Sequence, residues 1–144
     1  MQSLENTMLI TDLDGTLLPA SKEISVADAA AISQFRAKGG KFAIATGRTL
    51  QAAQRYLKKL QPNIPVILFN GAAIYDPVAE KWLYTEELPP EAAAITRQVL
   101  EAFPDVSAEI LRTDGTYVSR MTPYEKEHLE ICQVEPILAM PEEI

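Results

Sequence analysis

Residues 8–18 read MLITDLDGTLL, an apolar run that stops abruptly at two carboxylates and a glycine. The run at residues 8–10 has no polar relief, which is typical of a parallel strand covered on both faces. Asp12 and Asp14 are two residues apart, so an extended chain projects both carboxylates to the same side. Two such charges repel each other unless they share a cation or a proton. With Gly15 to bend the backbone beyond them, they predict a buried strand that leads into a chemically active turn.

The run DLDGTLL resembles the first motif, DxDGT, of the haloacid dehalogenase-like phosphohydrolases, a Mg²⁺-dependent superfamily. The resemblance implies that Asp12 is the nucleophile, which attacks phosphorus to form an aspartyl-phosphate. It also implies that Asp14 is the acid/base, and that both aspartates lie at the Mg²⁺ site. Carboxylates suit these roles because they can form covalent intermediates beside a metal that screens their charge from phosphate. Without its strand context, a D-x-D pair would be read as a solvated turn or a helix cap.

Length and composition indicate one domain of ordinary size with an appreciable core, since 47% of the 144 residues are hydrophobic and 23% charged. The net charge of −7 and the lack of a basic cluster argue against a nucleic-acid partner. No apolar run approaches the roughly 20 residues of a membrane span, and no leader pattern opens the sequence. We therefore expect a cytoplasmic protein without a membrane partner. The single cysteine, Cys132, is interpreted as a packed free thiol.

Helix and strand patterns alternate after the motif. Ser25 and Asp28 resemble a capping box, and apolar residues at helical spacing predict a helix that ends near Lys38. The segments KFAIAT, residues 41–46, and VILF, residues 66–69, predict two further strands with a helix between them. This order predicts an α/β fold with a three-layer, Rossmann-like parallel sheet. The ligand site is expected outside the carboxyl ends of the strands.

Two short runs follow the second and third predicted strands. Thr46-Gly47-Arg48 precedes a helix, where a hydroxyl and a flexible amide are suited to hold phosphate oxygens. The family carries a Ser or Thr here, within T-G-R in its Cof-like branch, so the resemblance implies that Thr46 and Gly47 bind phosphate. Arg48 is interpreted as a substrate contact at the rim or as a surface residue. Asn70-Gly71 predicts a tight turn, and because the Cof-like branch carries N-G-A at this point, the resemblance also places both residues at the rim.

Hairpin patterns replace the parallel alternation after Asp76-Pro77. A helix is expected after Pro90, with an apolar face made by Ile95, Val99 and Phe103. The segments VSAEILR and TYVSR then predict a hairpin, and a helix is expected from Pro123 to about Cys132. No element is assigned to residues 133–144. A helix followed by a hairpin resembles the start of the family's C2-type cap, so residues 1–86 are assigned to a partial core and residues 87–144 to the beginning of an α+β cap.

Two further motifs of the family are not visible: a lysine that neutralises the phosphate and an acidic pair that completes the metal site. Lys58, Lys59 and Lys81 precede the cap segment and Lys126 lies in a charged run, so none is assigned that role. We therefore interpret the sequence as the amino-terminal portion of such a phosphatase. Its first strand would be an exposed edge, which a second copy of the chain could cover as a homodimer.

The leading hypothesis for function is a Mg²⁺-dependent phosphomonoesterase that acts on small phosphorylated metabolites such as sugar phosphates. A sugar-phosphate mutase and a disaccharide-phosphate phosphatase use similar chemistry. A receiver-type phospho-accepting domain is an alternative, but its acceptor would end the third strand, where this chain has Phe69-Asn70. A further alternative is a fragment that binds a ligand or partner without turnover. A dinucleotide-binding fold is disfavoured because no G-x-G-x-x-G follows the first strand.

Overall fold

The computed structural model describes residues 3–144, which form an α/β fold. The first half contains β1 (Met8–Thr11), α1 (Val26–Ala37), β2 (Lys41–Ile44), α2 (Leu50–Leu60), β3 (Val66–Leu68), a 3₁₀ turn (Phe69–Gly71), β4 (Ala73–Asp76) and β5 (Lys81–Thr85). The second half contains α3 (Ala92–Ala102), β6 (Glu109–Leu111), β7 (Thr116–Val118), α4 (Pro123–Cys132), β8 (Pro136–Leu138) and a 3₁₀ turn (Pro141–Glu143). No helix within residues 3–144 has the length and apolar character needed to cross a membrane.

The chain divides into two compact units. One comprises the residues up to Arg48 together with Ala53–Glu86, and the other comprises Thr49–Ala52 together with Glu87–Ile144. The candidate site described below lies within the first unit. The assignment of residues 1–86 to a core and 87–144 to a cap remains a prediction.

The first three strands of the chain are parallel, as expected. β1 and β2 pair in parallel with Thr11 opposite Ile44. A parallel bridge between Ala45 and Ile67 then connects the end of β2 to β3. The carboxyl ends of these strands therefore meet at one edge of the sheet, where polar residues follow each strand.

The β1 strand differs from the buried strand that its apolar sequence predicts. Met8, Leu9 and Ile10 retain 58%, 41% and 46% of their accessible surface. Within residues 3–144, β2 is the only strand that pairs with β1. Because the Thr11 carbonyl accepts a hydrogen bond from the amide of Ala45, the residue after β2, the backbone groups of Met8 and Ile10 point to the opposite, unpaired side. The expectation of cover on both faces is wrong, whereas the expectation of an exposed edge is confirmed.

The core of the first unit takes its largest fully buried side chains from β2, β3 and the segment after β1. They are Leu13, Leu18, Phe42, Ile44, Val66 and Leu68. Leu13 matters most for the site, since its side chain is buried while those of Asp12 and Asp14 on either side are exposed. This alternation is what an extended chain produces, and it keeps both carboxylates out of the core.

The second unit contains a three-stranded sheet in the order β6-β7-β8. Val118, Leu129 and Val134 form its apolar cluster together with Ala52. The hairpin of β6 and β7 and the helix α4 follow the sequence prediction. The strand β8, which pairs in parallel with β7, was not predicted. Its sequence signal is weak because it is a short edge strand that begins with Pro136, a residue that cannot donate to a ladder.

The apolar face predicted for α3 is wrong. Ile95, Val99 and Phe103 are exposed, and the buried residue of this helix is Leu100. The helix contacts the terminal 3₁₀ turn, Pro141–Glu143, rather than burying the predicted stripe. Helical spacing shows only that a stripe exists, and the tertiary contacts decide which residues are covered.

Candidate active site

The two aspartates of the DxDGT run lie where β1 gives way to a tight loop. Gly15 has a φ of 77°, in the left-handed region that glycine adopts readily. The loop closes when the Leu18 amide donates to the Leu13 carbonyl at 2.7 Å. Asp12 and Asp14 therefore sit at the carboxyl end of β1, on a short and well-bonded turn.

Two cationic side chains hold the Asp14 carboxylate. Arg48 donates from Nε to Oδ2 at 2.7 Å and from Nη2 to Oδ1 at 2.9 Å. Lys22 donates from Nζ to Oδ1 at 2.7 Å. The paired contacts of the guanidinium fix both carboxylate oxygens, whereas the ammonium adds a single point charge. Asp14 therefore has a defined orientation before any ligand binds.

These cations also determine the charge of Asp14. The hydrogen bonds from Arg48, and to a smaller extent the one from Lys22, hold the pKa of Asp14 well below its usual range, although partial burial acts in the opposite direction. Asp14 is therefore ionised at neutral pH in this arrangement. A role in protonating a leaving group requires that at least one cation move away from it first.

Tyr56 of α2 supports both cations. Its ring lies beneath the Arg48 guanidinium, with 5.1 Å between Cζ and the ring centroid. Its hydroxyl donates to the backbone carbonyl of Lys22 at 3.1 Å. Because the Tyr56 side chain is buried, it gives the loop after β1 and the turn after β2 a common anchor.

The residues that follow β2 and β3 form a second set of direct contacts. The backbone amide of Arg48 donates a hydrogen bond to the Thr46 hydroxyl at 3.3 Å, and the backbone amide of Asn70 donates one to the Thr46 carbonyl at 3.2 Å. A Cβ atom on Gly47 would lie 2.7 Å from Asn70 Oδ1, so any larger residue at this position would displace the Asn70 side chain. Gly71 occupies the same 3₁₀ turn as Asn70, with a φ of 102°.

The structure thus joins Asp14 to Arg48, and Thr46, Gly47 and Asn70 to one another. Asp12 is placed at the same sheet edge by the parallel pairing of β1 and β2. Arg48, which the sequence left between the rim and the surface, has a nearly buried side chain directly on Asp14. Lys22 was missed, because a lysine in a loop after the motif belongs to no recognisable pattern.

The carboxylates fit a magnesium ion only if other ligands complete its coordination. Carboxylate oxygens are hard donors, as Mg²⁺ prefers. Within residues 3–144, no three His, Cys, Asp or Glu side chains are arranged to hold a metal ion by themselves. Mg²⁺ is commonly bound through one or two carboxylates, with waters and phosphate oxygens as the remaining ligands. Asp12 and Asp14 carry donors of this kind, and in this structure both oxygens of Asp14 are bound by Arg48 and Lys22.

A family model described as haloacid dehalogenase-like hydrolase matches residues 9–137. The chain belongs to the haloacid dehalogenase-like hydrolases. Its relatives and structural neighbours place it in the Cof-like branch of this family. The membership favours a hydrolase over the receiver-type alternative, and the matched residues include the whole set of contacts around Asp14 and Thr46.

Curated members of the family that resemble this chain are named phosphatases. The 5-amino-6-(5-phospho-D-ribitylamino)uracil phosphatase YitU of Bacillus subtilis is 30% identical over 125 residues, which cover 85% of this chain and 44% of the relative. The HMP-PP phosphatase of Cronobacter sakazakii is 33% identical over 99 residues, which cover 69% of this chain and 35% of the relative. The chain therefore spans less than half the length of these two relatives.

Solved structures show the same fold. The HAD subclass IIB sugar phosphatase BT4131 superposes with a TM-score of 0.80 and 25% identity, over 95% of this chain and 54% of that one. A haloacid dehalogenase-like hydrolase from Bacteroides thetaiotaomicron superposes with a TM-score of 0.81 over 92% of this chain and 51% of the other. At 18% identity, that second likeness concerns the fold alone.

Proposed function

We propose that this haloacid dehalogenase-like hydrolase cleaves phosphomonoesters of small phosphorylated metabolites, such as sugar phosphates, through an aspartyl-phosphate on Asp12. The observation that carries the proposal is the parallel pairing of β1 and β2, which places Asp12 and Thr46 at the same sheet edge. The relatives named as phosphatases of a phosphoribityl compound and of HMP-PP support a small phosphorylated substrate. The cytoplasmic location stays a prediction.

In the proposed reaction, an oxygen of Asp12 attacks phosphorus as the bond to the leaving oxygen breaks. The Thr46 hydroxyl and the Gly47 amide hold the non-bridging oxygens. Once a cation has moved away and Asp14 has taken up a proton from solvent, Asp14 gives that proton to the leaving alcohol. The resulting carboxylate later takes a proton from the water that attacks the aspartyl-phosphate. That second attack regenerates the Asp12 carboxylate and releases inorganic phosphate.

A Mg²⁺ ion held by Asp12 and Asp14, with water and phosphate oxygens, would supply charge neutralisation between the nucleophile and the phosphate. The residues of the chain orient the groups around it. Arg48 and Lys22 hold Asp14, and the carbonyl of Thr46 fixes Asn70 at the turn after β3. We assign Arg48, Asn70 and Gly71 to the rim where the organic part of the substrate enters.

We further propose that residues 1–86 act as the catalytic core and that residues 87–144 act as the start of a substrate-selecting cap. The alternative of a ligand-binding fragment without turnover is favoured by one observation. No residue of the sequence matches the family's neutralising lysine motif or its second acidic pair. Loss of one electrostatic donor in comparable sites slows turnover on the order of 100-fold to 1,000-fold.

The proposal is tested by phosphate release from a panel of phosphomonoesters with Mg²⁺. We expect slow turnover by the 144-residue chain, abolished in Asp12→Asn, whose amide is nearly isosteric but cannot attack phosphorus. Asp76→Asn, in the β4–β5 hairpin, is the control for loss of a carboxylate. Turnover at ordinary enzyme rates that Asp12→Asn abolishes would refute the fragment interpretation, and turnover that survives Asp12→Asn would refute the assignment of the nucleophile.

A further inference from the structure

Lys22 contacts the candidate catalytic pair although it belongs to no motif. It lies in the loop between β1 and α1, and its Nζ is 2.7 Å from Asp14 Oδ1. Among residues 3–144, it is the lysine that forms an ion pair with an aspartate of the DxDGT run. We propose that Lys22 is a phosphate-binding residue, whose ammonium group moves from Asp14 to the substrate phosphate when substrate enters. This inference rests on the proposed function, because it requires a phosphate bound beside Asp12 and Thr46.

The backbone of Lys22 is fixed at both of its polar groups. Its amide donates a hydrogen bond to the Pro19 carbonyl at 2.9 Å, and its carbonyl accepts a hydrogen bond from the Tyr56 hydroxyl at 3.1 Å. It also has a φ of 57°, a left-handed conformation that residues other than glycine seldom adopt. A loop held in this way places the base of the side chain at a constant position next to Asp14.

The end of the side chain, in contrast, has room to move. The side chain is 36% exposed and lines a cavity of about 410 Å³ together with Gly15, Thr16, Ser25 and Asp28. The flexible four-carbon stem of lysine can therefore turn its ammonium group away from Asp14 while the backbone stays in place. The movement needs no rearrangement of the core.

Of the two cations on Asp14, Lys22 is the one that can exchange. Arg48 is 8% exposed, binds both carboxylate oxygens and rests on the Tyr56 ring. Lys22 makes one contact in a solvent-accessible position, where ion pairs contribute little. An incoming phosphate dianion carries more charge than a carboxylate and offers more acceptor oxygens, so it competes well for the ammonium group.

The test is a titration of the 144-residue chain with inorganic phosphate at constant ionic strength and Mg²⁺ concentration, followed by ³¹P NMR or calorimetry. Lys22→Gln should weaken phosphate binding about tenfold to a hundredfold, the value of one charge-assisted hydrogen bond. Lys22→Arg, which keeps the charge, should restore much of the affinity. Lys58→Gln, at an exposed position of α2, is the control for loss of a positive charge and should stay within about twofold of the wild type.

Each other outcome decides between the two proposals. If Thr46→Ala weakens phosphate binding and Lys22→Gln does not, the role of Lys22 is wrong and the phosphate site stands. Tighter binding in Lys22→Gln would also overturn the inference, because Lys22 would then compete with phosphate by blocking the site. If the wild-type chain binds no phosphate, the proposed site itself fails. Thermal melts and circular dichroism of each variant identify any change that reflects loss of folding.

Discussion

Arg48 binds both carboxylate oxygens of Asp14, from which it is separated by 34 residues of sequence. The pair joins the turn after β1 to the turn after β2, so it connects the two runs in which the site residues were recognised. It exists because β1 and β2 are parallel and end at the same edge. The contact therefore serves both the fold and the proposed chemistry.

A double-mutant cycle measures the strength of this pair. Arg48→Met and Asp14→Asn should each lower the free energy of unfolding, and their effects should be less than additive by about 1 kcal/mol, because Asp14 remains partly exposed to water. Urea denaturation of the four proteins gives the coupling energy. Fully additive losses would show that the two side chains do not interact in solution.

A carboxyl pair in the second unit predicts how stability depends on pH. Burial first, and then the neighbouring Glu125 carboxyl, raise the pKa of Glu109 from 4.5 to about 7. His128 Nε2 lies 3.5 Å from Glu109 Oε1. Because the folded state favours the protonated form, the contribution of Glu109 to stability is fully present below pH 4.5 and is lost as pH rises through about 7.

Replacement of Glu109 by glutamine should remove this dependence. The difference in Tm between Glu109→Gln and the wild type should shift in favour of the variant as the pH rises from 5 to 8. The difference between the exposed control Glu127→Gln and the wild type should show no such trend. Differential scanning fluorimetry across that range is sufficient. A constant difference between Glu109→Gln and the wild type at all pH values would mean that Glu109 titrates normally in the folded protein.

The unpaired edge of β1 predicts self-association. Its outward backbone groups can form hydrogen bonds with β1 of a second copy. The exposed side chains of Met8, Leu9 and Ile10 can then pack against those of the partner strand. Light scattering after size-exclusion chromatography should show a concentration-dependent dimer. Ile10→Lys should shift the chain to monomer, because a charge on an edge strand opposes pairing. Val26→Lys, at an exposed position of α1, should not. A monomer at all concentrations would refute this pairing.

Local patterns were sufficient for much of the fold. The Ser25 hydroxyl accepts a hydrogen bond from the Asp28 amide, as the capping box predicts. The helix α4 occupies Pro123–Cys132, as its helix signals indicate. The order of strand and helix also predicted the parallel pairing of β1 and β2, which in turn placed Thr46 at the edge that carries Asp12. These features depend on neighbouring residues and on general rules of connection.

Features that depend on distant contacts were missed. Lys22 reaches Asp14 because of a left-handed backbone and a hydrogen bond from Tyr56, 34 residues away. The strand β8 exists because β7 offers it a partner, and α3 buries Leu100 because of its neighbours rather than its spacing. No periodicity in the sequence contains this information.

The most direct test of Asp12 as the nucleophile is whether this residue becomes phosphorylated. The chain is incubated with Mg²⁺ and a reactive phosphoryl donor, quenched in acid and analysed by peptide mass spectrometry. A single turnover is sufficient for this readout, so slow chemistry does not prevent it. We predict one phosphoryl group on the peptide that contains Asp12, removable by hydroxylamine and absent from Asp12→Asn. A phosphoryl group on another residue, or one that persists in Asp12→Asn, would contradict the assignment of Asp12 as the nucleophile.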